Sequence, residues 1–562
     1  MEQYRFSQLP YTPNDFPAIQ DKLNGFTERI RSASSVEEVL EVIEQCDALL
    51  DETGHQMTLA YIRSSLDCTD QFYAEAIQRE SAGCATLEQA PYTNALLDSP
   101  FLPELEKKFG PEYRPRLERE ARLLSSGLEL MARESELVNQ YQQKKAMVKI
   151  PFRGRDCSEG EMYALFESPD RQTRIDARRA TFEAFLGKKE ELAPMLLELV
   201  ELRHKIAEAN GFDSYLDYAN LSFFRRGYGE TELTAFCQQV KTDLIPLLRE
   251  LREEQRRELG VDRLMMYDLP VRFRDGNARP AGDAAYLTEA SKKMYDGLSP
   301  EFGAFFRRMV ESESLDVTAS PNKVAGMGFC TDLKKGYLPY VFGNCNGTDS
   351  DVAVFTHEIG HAWQSYLTGK QGYPDIFKEM ALDAVEIPSK TMELFAYPYA
   401  EEFFGGDAEK FRKGHFREAL VEIARYCSIH EANTWLYTHP GASFEEIAAA
   451  CAEIEREYEP GLDNGELEDY IRQGSSLLRN MAIYSFPRYV ISYSLSEMCA
   501  MELFARMQND PKGAWESYEK LCISGGTRSY PDTLKQAGLE PAYAPGSVKK
   551  VAEFAREYLK KQ

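Results

Sequence analysis

The sequence is short of positive charge, of histidine and of paired cysteines. Its 562 residues carry 66 Lys and Arg against 91 Asp and Glu, a formal net charge of −25. Nucleic acid and anionic membrane surfaces attract clusters of Lys and Arg, so neither is expected as a partner. No run of about 18 apolar residues occurs, so no membrane span is expected. The opening stretch MEQYRFSQLPYTPNDF lacks a basic segment followed by an apolar one and does not read as a secretory signal. The 11 cysteines are odd in number, scattered, and nowhere spaced C-x-x-C. This argues against a disulfide or Cys-zinc framework and fits reduced, mostly buried thiols in a cytoplasmic protein. Only 7 histidines are present.

What the chain has in quantity is helix-forming sequence. Hydrophobic residues make up 43%, enough for a large interior, and the length calls for two or more lobes. Glu, Lys, Arg, Leu and Ala crowd the N-terminal half. SSVEEVLEVIEQCDALLDETG opens on capping-type serines and is expected to end at Gly54. YRPRLEREARLLSSGLELMARESELVNQYQQKK keeps apolar residues at helical spacing over many turns. AMVKIPFRGRDC breaks the pattern and predicts a short strand or turn. The division expected is a helical N-terminal lobe over 1–190 and a second region over 191–562. From about 320 the texture changes. Two short strands are predicted around Leu333–Gly336, followed by a loop and a helix opening near Asp349–Asp351. The fold class is therefore mainly α, with a small β-sheet next to the helix that follows.

That helix holds the clearest chemical signal, FTHEIGHAWQSY over Phe355–Tyr366, with His-Glu-x-x-His inside it. At 100° per residue, Val352, Phe355, Ala362, Trp363 and Tyr366 fall within about 60° of Ile359 and form one apolar stripe. His357 and His361 fall at about 160° and 200°, on the opposite face and one turn apart, where two imidazoles can share one ion. Glu358 lies on the flank, placed to reach a water rather than the metal. Gly360 leaves the other flank bare for close packing. A catalytic zinc needs a third protein ligand. No third histidine follows at short spacing, so a carboxylate is expected. ALDAVEIPSKTMELF offers Asp383, Glu386 and Glu393 on one face, with Glu386 lying 29 residues after His357. In this reading Glu386 binds metal, and Asp383 or Glu393 orients a ligand from behind. Pro388 either starts this helix or kinks it.

FTHEIGHAWQSY together with EIPSKTME resembles the thimet oligopeptidase family of zinc metallopeptidases. NCNGTDSDVAVFTHEIGHAW and SGGTRSYPDTLKQAG are most similar to its oligoendopeptidase F and Pz-peptidase branch. The resemblance implies two helical lobes around a deep substrate channel, with 191–562 as the zinc-peptidase catalytic region. It implies one Zn²⁺ held by His357, His361 and Glu386. Its implied activity is an endopeptidase hydrolysing short oligopeptides with zinc-activated water and Glu358 as general base. It assigns Gly336–Asn346 to the strand that pairs with substrate backbone, and it leaves the oligomeric state open.

The resemblance also implies late-chain donors to the oxyanion in a pattern like H-x-x-x-x-P-F-Y-x-x-x-Y. The matching stretch is AIYSFPRYVISY. Tyr489 and Tyr493 are kept, one helical turn apart. The histidine position is Ala482, and Arg488 stands where Phe is usual. An alternative is therefore a catalytically weak or inactive peptide-binding relative that retains zinc, with Arg488 or a tyrosine compensating in an active one. His204, His430 and His439 read as structural.

Overall fold

A computed structural model describes residues 4–123, 127–324, 327–378, 380–459 and 461–562. The chain is mainly helical, and the described residues form a two-stranded and a three-stranded sheet. It forms two compact units, each built from three stretches. The first takes Met1–Ser125, Arg279–Ala408 and Ala500–Leu539; the second takes Ser126–Ala278, Glu409–Cys499 and Glu540–Gln562. The single boundary expected near 190 instead falls inside the helix Lys189–Ala209 of the second unit. Amphipathic periodicity marks helices but not which of them pack together, so an interleaved division leaves no mark in the sequence.

In the first unit, the helix expected to stop at Gly54 runs on as Val36–Leu66. Glycine costs a helix interior about 1 kcal/mol, and burial of Leu59, Ala60 and Ile62 beyond it outweighs that cost. The long helix expected from 113 onward is two helices in different units, Tyr113–Leu123 and Leu128–Ala146. Residues 124–126 of that stretch lie outside the described residues. Gly127 opens the second helix with φ +75, a left-handed value that glycine adopts without strain.

The predicted strands are Phe329–Thr331 and Tyr340–Phe342, antiparallel, with Cys330 opposite Val341. Between them Lys334, Lys335 and Gly336 all have positive φ. A third strand, Leu315–Asp316, pairs in parallel with the other side of Tyr340–Phe342. The central strand is buried throughout and packs with Leu59, Ile62 and Leu333 in one apolar cluster.

The helix that follows spans Ser350–Gly369. Asp351 fixes its entry by accepting the backbone N–H groups of Asn346 and Gly347 at 3.0 and 2.7 Å, and its charge suits a helix N-terminus. The predicted stripe is buried at Val352, Phe355, Ile359, Ala362 and Trp363. Trp363 stacks on Phe302 at 4.5 Å between centroids, and Tyr366 meets Phe305 at 4.6 Å. A second helix, Leu382–Phe395, lies against it. Pro388 sits inside this second helix rather than at its start. The two backbones meet at Gly360, where an added Cβ would stand 2.7 Å from the Pro388 carbonyl oxygen and from Ser389 Cα. Backbone cannot yield there as a flexible side chain can. Gly360→Ala is expected to push the two helices apart, costing about 1–3 kcal/mol. Thermal unfolding and metal content should fall together in this variant.

Candidate metal centre

The close approach at Gly360 sets one face of Leu382–Phe395 against the histidine face of Ser350–Gly369. His357 Nε2 and His361 Nε2 each lie 3.2 Å from the same oxygen of Glu386, Oε2. One ligand atom from each of the three residues fits within 4.8 Å. Zinc bonds of 2.0–2.2 Å at tetrahedral angles separate neighbouring ligand atoms by about 3.3 Å. The donor set and its spacing therefore fit that ion.

His357 Nδ1 lies 2.7 Å from Glu393 Oε1. That bond engages Nδ1 and leaves Nε2, on the Glu386 side, as the nitrogen a metal would take, the arrangement a metal-binding imidazole needs. Of the two carboxylates the sequence offered for this place, Glu393 stands behind His357, and Asp383 is fully buried in the same helix. Lys390 Nζ approaches Glu393 Oε1 at 3.4 Å. Ser389 Oγ donates to Glu386 Oε2 at 2.9 Å. The sequence reading missed Ser389 and Lys390; the signal available was their place one turn after Glu386.

The electrostatics favour a cation. Glu358, Glu386 and Glu393 are each more than nine-tenths buried, where carboxylates pay heavily for desolvation. Burial pushes the Glu358 carboxyl up, with the two imidazoles pulling the other way. Burial would raise Glu386 too, but His361 and His357 outweigh it and hold it well below its ordinary value. Against burial, Glu386 and Glu393 hold His357 well above the usual imidazole range. Positive charge is what these carboxylates call for, and a divalent ion supplies it without protonating the ligands.

Glu358 is outside the ligand cluster, as the helical wheel predicts, and 8% exposed. Beside it runs the strand Phe329–Thr331: a Cβ added at Gly328 would lie 3.5 Å from Glu358 Cγ. This corrects the segment expected to meet substrate backbone. Tyr340–Phe342, within Gly336–Asn346, is paired on both sides, so its ladder has no room for another strand. Phe329–Thr331 is at the sheet's edge.

Residues 164–551 match the family model described as Peptidase family M3, and residues 6–124 match the Peptidase M3 N-terminal domain. The chain belongs to peptidase family M3. It is a metallopeptidase by that membership, and the resemblance carried by the two motifs holds. This M3 chain is 22% identical to Oligopeptidase PepF of Bacillus subtilis (strain 168), over 94% of this chain and 81% of that protein. Its fold is similar to a solved structure of Pz peptidase A with an inhibitor, at TM-score 0.92 and 31% identity, covering 99% of each chain. A structure given the provisional name oligoendopeptidase F matches at TM-score 0.91 and 32% identity, covering 100% of this chain and 99% of that one. Among the described residues, no helix is long and apolar enough to cross a membrane.

The late-chain residues lie in the second unit. Tyr489 and Tyr493 are both half-buried, with ring centroids 5.6 Å apart. Tyr493 is in the helix Ile491–Met507 and Tyr489 just precedes it, so they are neighbours without sharing a continuous helical turn. Ala482 lies in the short helix Met481–Tyr484. Arg488 is 0% exposed. It donates to Thr434 Oγ1 at 2.5 Å, is paired with Glu230, and lies 3.3 Å from His430 Nε2. A guanidinium enclosed this way cannot reach a substrate oxyanion, so Arg488 does not compensate for Ala482.

Because Glu393 fixes the tautomer of His357, Glu393→Gln is expected to weaken metal binding about 10–100-fold. Competition with a chromophoric chelator measures this, and Ser389→Ala should have a smaller effect in the same direction.

Proposed function

We propose that this chain is a zinc-dependent endopeptidase acting on short oligopeptides, with His357, His361 and Glu386 as ligands and Glu358 as general base. The observation that carries the reading is the shared 3.2 Å approach of two imidazole Nε2 atoms to Glu386 Oε2, with Glu358 beside the cluster and outside it. Zinc, when bound, supplies a Lewis acid that polarises the scissile carbonyl and lowers the pKa of water. Glu358 takes the proton of the attacking water, and its carboxylic acid then delivers that proton to the leaving amine. Burial favours this exchange by keeping the protonated form of Glu358 accessible. Glu393 holds the His357 ring in one tautomer, and Ser389 fixes the Glu386 carboxylate. The open edge of Phe329–Thr331 offers backbone N–H and C=O groups to an extended peptide. That mode suits peptides short enough to lie extended. Tyr489 and Tyr493 are proposed as the phenolic donors to the developing oxyanion.

Ala482 favours a second reading, in which zinc is kept and turnover is weak, since one missing oxyanion donor costs about 10²–10³ in kcat. Cleavage of quenched fluorescent peptides by wild type separates the two: measurable turnover supports the peptidase, and full zinc with none supports the binding protein. Glu358→Gln is expected to keep its zinc and lose about 10²–10⁴ in kcat. Tyr493→Phe should lower kcat about 10²–10³ with little change in KM. Chelation should abolish cleavage and added zinc restore it; cleavage that survives chelation contradicts the proposal.

A further inference from the structure

Away from the metal centre, the second unit gathers arginine in a chain whose net charge is −25. The helix Ile245–Leu259 places Arg249, Arg252 and Arg256 three and four residues apart, on one face. Arg252 uses its terminal nitrogens on Gln255 Oε1 at 3.2 Å and on both oxygens of Glu459 at 3.1 and 3.3 Å. From the helix Ala408–Thr438, Arg417 uses its own on Glu254 at 2.6 Å and Glu258 at 3.3 Å. In neither arginine is Nε used in these bonds. The Nε–H groups of Arg252 and Arg417 are buried with no hydrogen-bond partner. An orphaned charged donor in a protein interior is rare and costly.

Both side chains line the same small cavity of about 20 Å³, room for a single small occupant. Arg272 and Glu418 also line it, and its remaining wall is largely aliphatic, including Leu248 and Val421. Three guanidinium groups thus face one carboxylate. Glu418 already accepts from Arg425 at 2.6 Å. Burial would raise it, but Arg425, then Arg252 and Arg272, hold it at about 2, so Glu418 stays ionised and is already engaged by arginine. Gln255 spends its amide hydrogens on the Leu269 and Val271 carbonyls. A water here would find donors readily, yet few acceptors for its own hydrogens. A monatomic anion has no hydrogens to place. A larger, more open pocket of about 380 Å³ is lined by Arg249, Arg252, Arg256 and Arg263 together with Glu253, Asp262 and Asp463. It shares Arg252 with the inner cavity.

We propose that this cavity is a binding site for a chloride-sized anion, held by the Nε–H groups of Arg252 and Arg417 and bridging Ile245–Leu259 to Ala408–Thr438. Carboxylates and phosphates are too large for it. The ion supplies the acceptor that both guanidinium groups lack and stabilises the second unit by binding the folded state.

The test compares thermal unfolding of the metal-loaded protein in sodium chloride, bromide and gluconate at matched ionic strength. Chloride and bromide should raise the midpoint saturably by about 1–4 °C over gluconate. Arg417→Lys keeps the charge facing Glu254 and Glu258 but lacks an Nε–H, and it should lose the halide dependence. Should that variant fold poorly, anomalous diffraction from wild-type crystals grown in bromide decides alone. A bromide peak within hydrogen-bonding reach of Arg252 Nε and Arg417 Nε upholds the site. Unfolding that is the same in halide and gluconate, with water and no bromide in the cavity, overturns it.

Discussion

The candidate metal centre depends on one contact between two backbones. Gly360 lets the helix Ser350–Gly369 come so near Leu382–Phe395 that no Cβ would fit between them. Only at that separation does a side chain as short as glutamate reach both imidazoles from the second helix. The apolar stripe from Val352 to Trp363 turns the histidines toward that helix, and the aromatic packing of Trp363 on Phe302 locks the rotation. The ligand face thus rests on the stripe, and the close approach and the reach of Glu386 rest on a residue with no side chain.

Three carboxylates are buried in one small region, where desolvation penalises their charged forms. Glu386 is held by His357, His361 and Ser389, and Glu393 by His357 and Lys390. A divalent ion would neutralise them while both imidazoles serve as ligands. Metal binding and stability of the first unit are then two faces of one equilibrium. Ser389 holds the Glu386 carboxylate and Glu393 the His357 ring, so two of the three candidate ligands are fixed by hydrogen bonds of the protein itself.

Much of this site is legible in the residues themselves. The His-Glu-x-x-His spacing, with an apolar stripe opposite, set the face of His357 and His361 and the flanking place of Glu358. The distance to ALDAVEIPSKTMELF pointed to Asp383, Glu386 and Glu393, but periodicity put all three on one face. Placing Glu386 at the imidazoles and Glu393 behind His357 depends on how the two helices pack. The strands around Leu333–Gly336 were visible from their turn, whereas Leu315–Asp316 was not, since two residues in a parallel pairing carry no alternation to detect. Gly54 misled because burial beyond it overrides its local cost. Arg488 looked from sequence like a candidate donor; its complete burial against Glu230, Thr434 and His430 is a property of packing that no motif encodes. The lobe boundary failed for the same reason.

The central claim is that Glu386 completes a zinc site with His357 and His361. X-ray absorption at the zinc edge of the purified, metal-loaded chain tests it most directly. The account predicts one zinc per chain, two imidazole nitrogens, and oxygen ligands at about 2.0–2.2 Å, with no sulfur. In Glu386→Ala the imidazole signal should persist at lower occupancy while the carboxylate contribution disappears. A sulfur shell, a single imidazole, or an unchanged zinc environment in Glu386→Ala would contradict it.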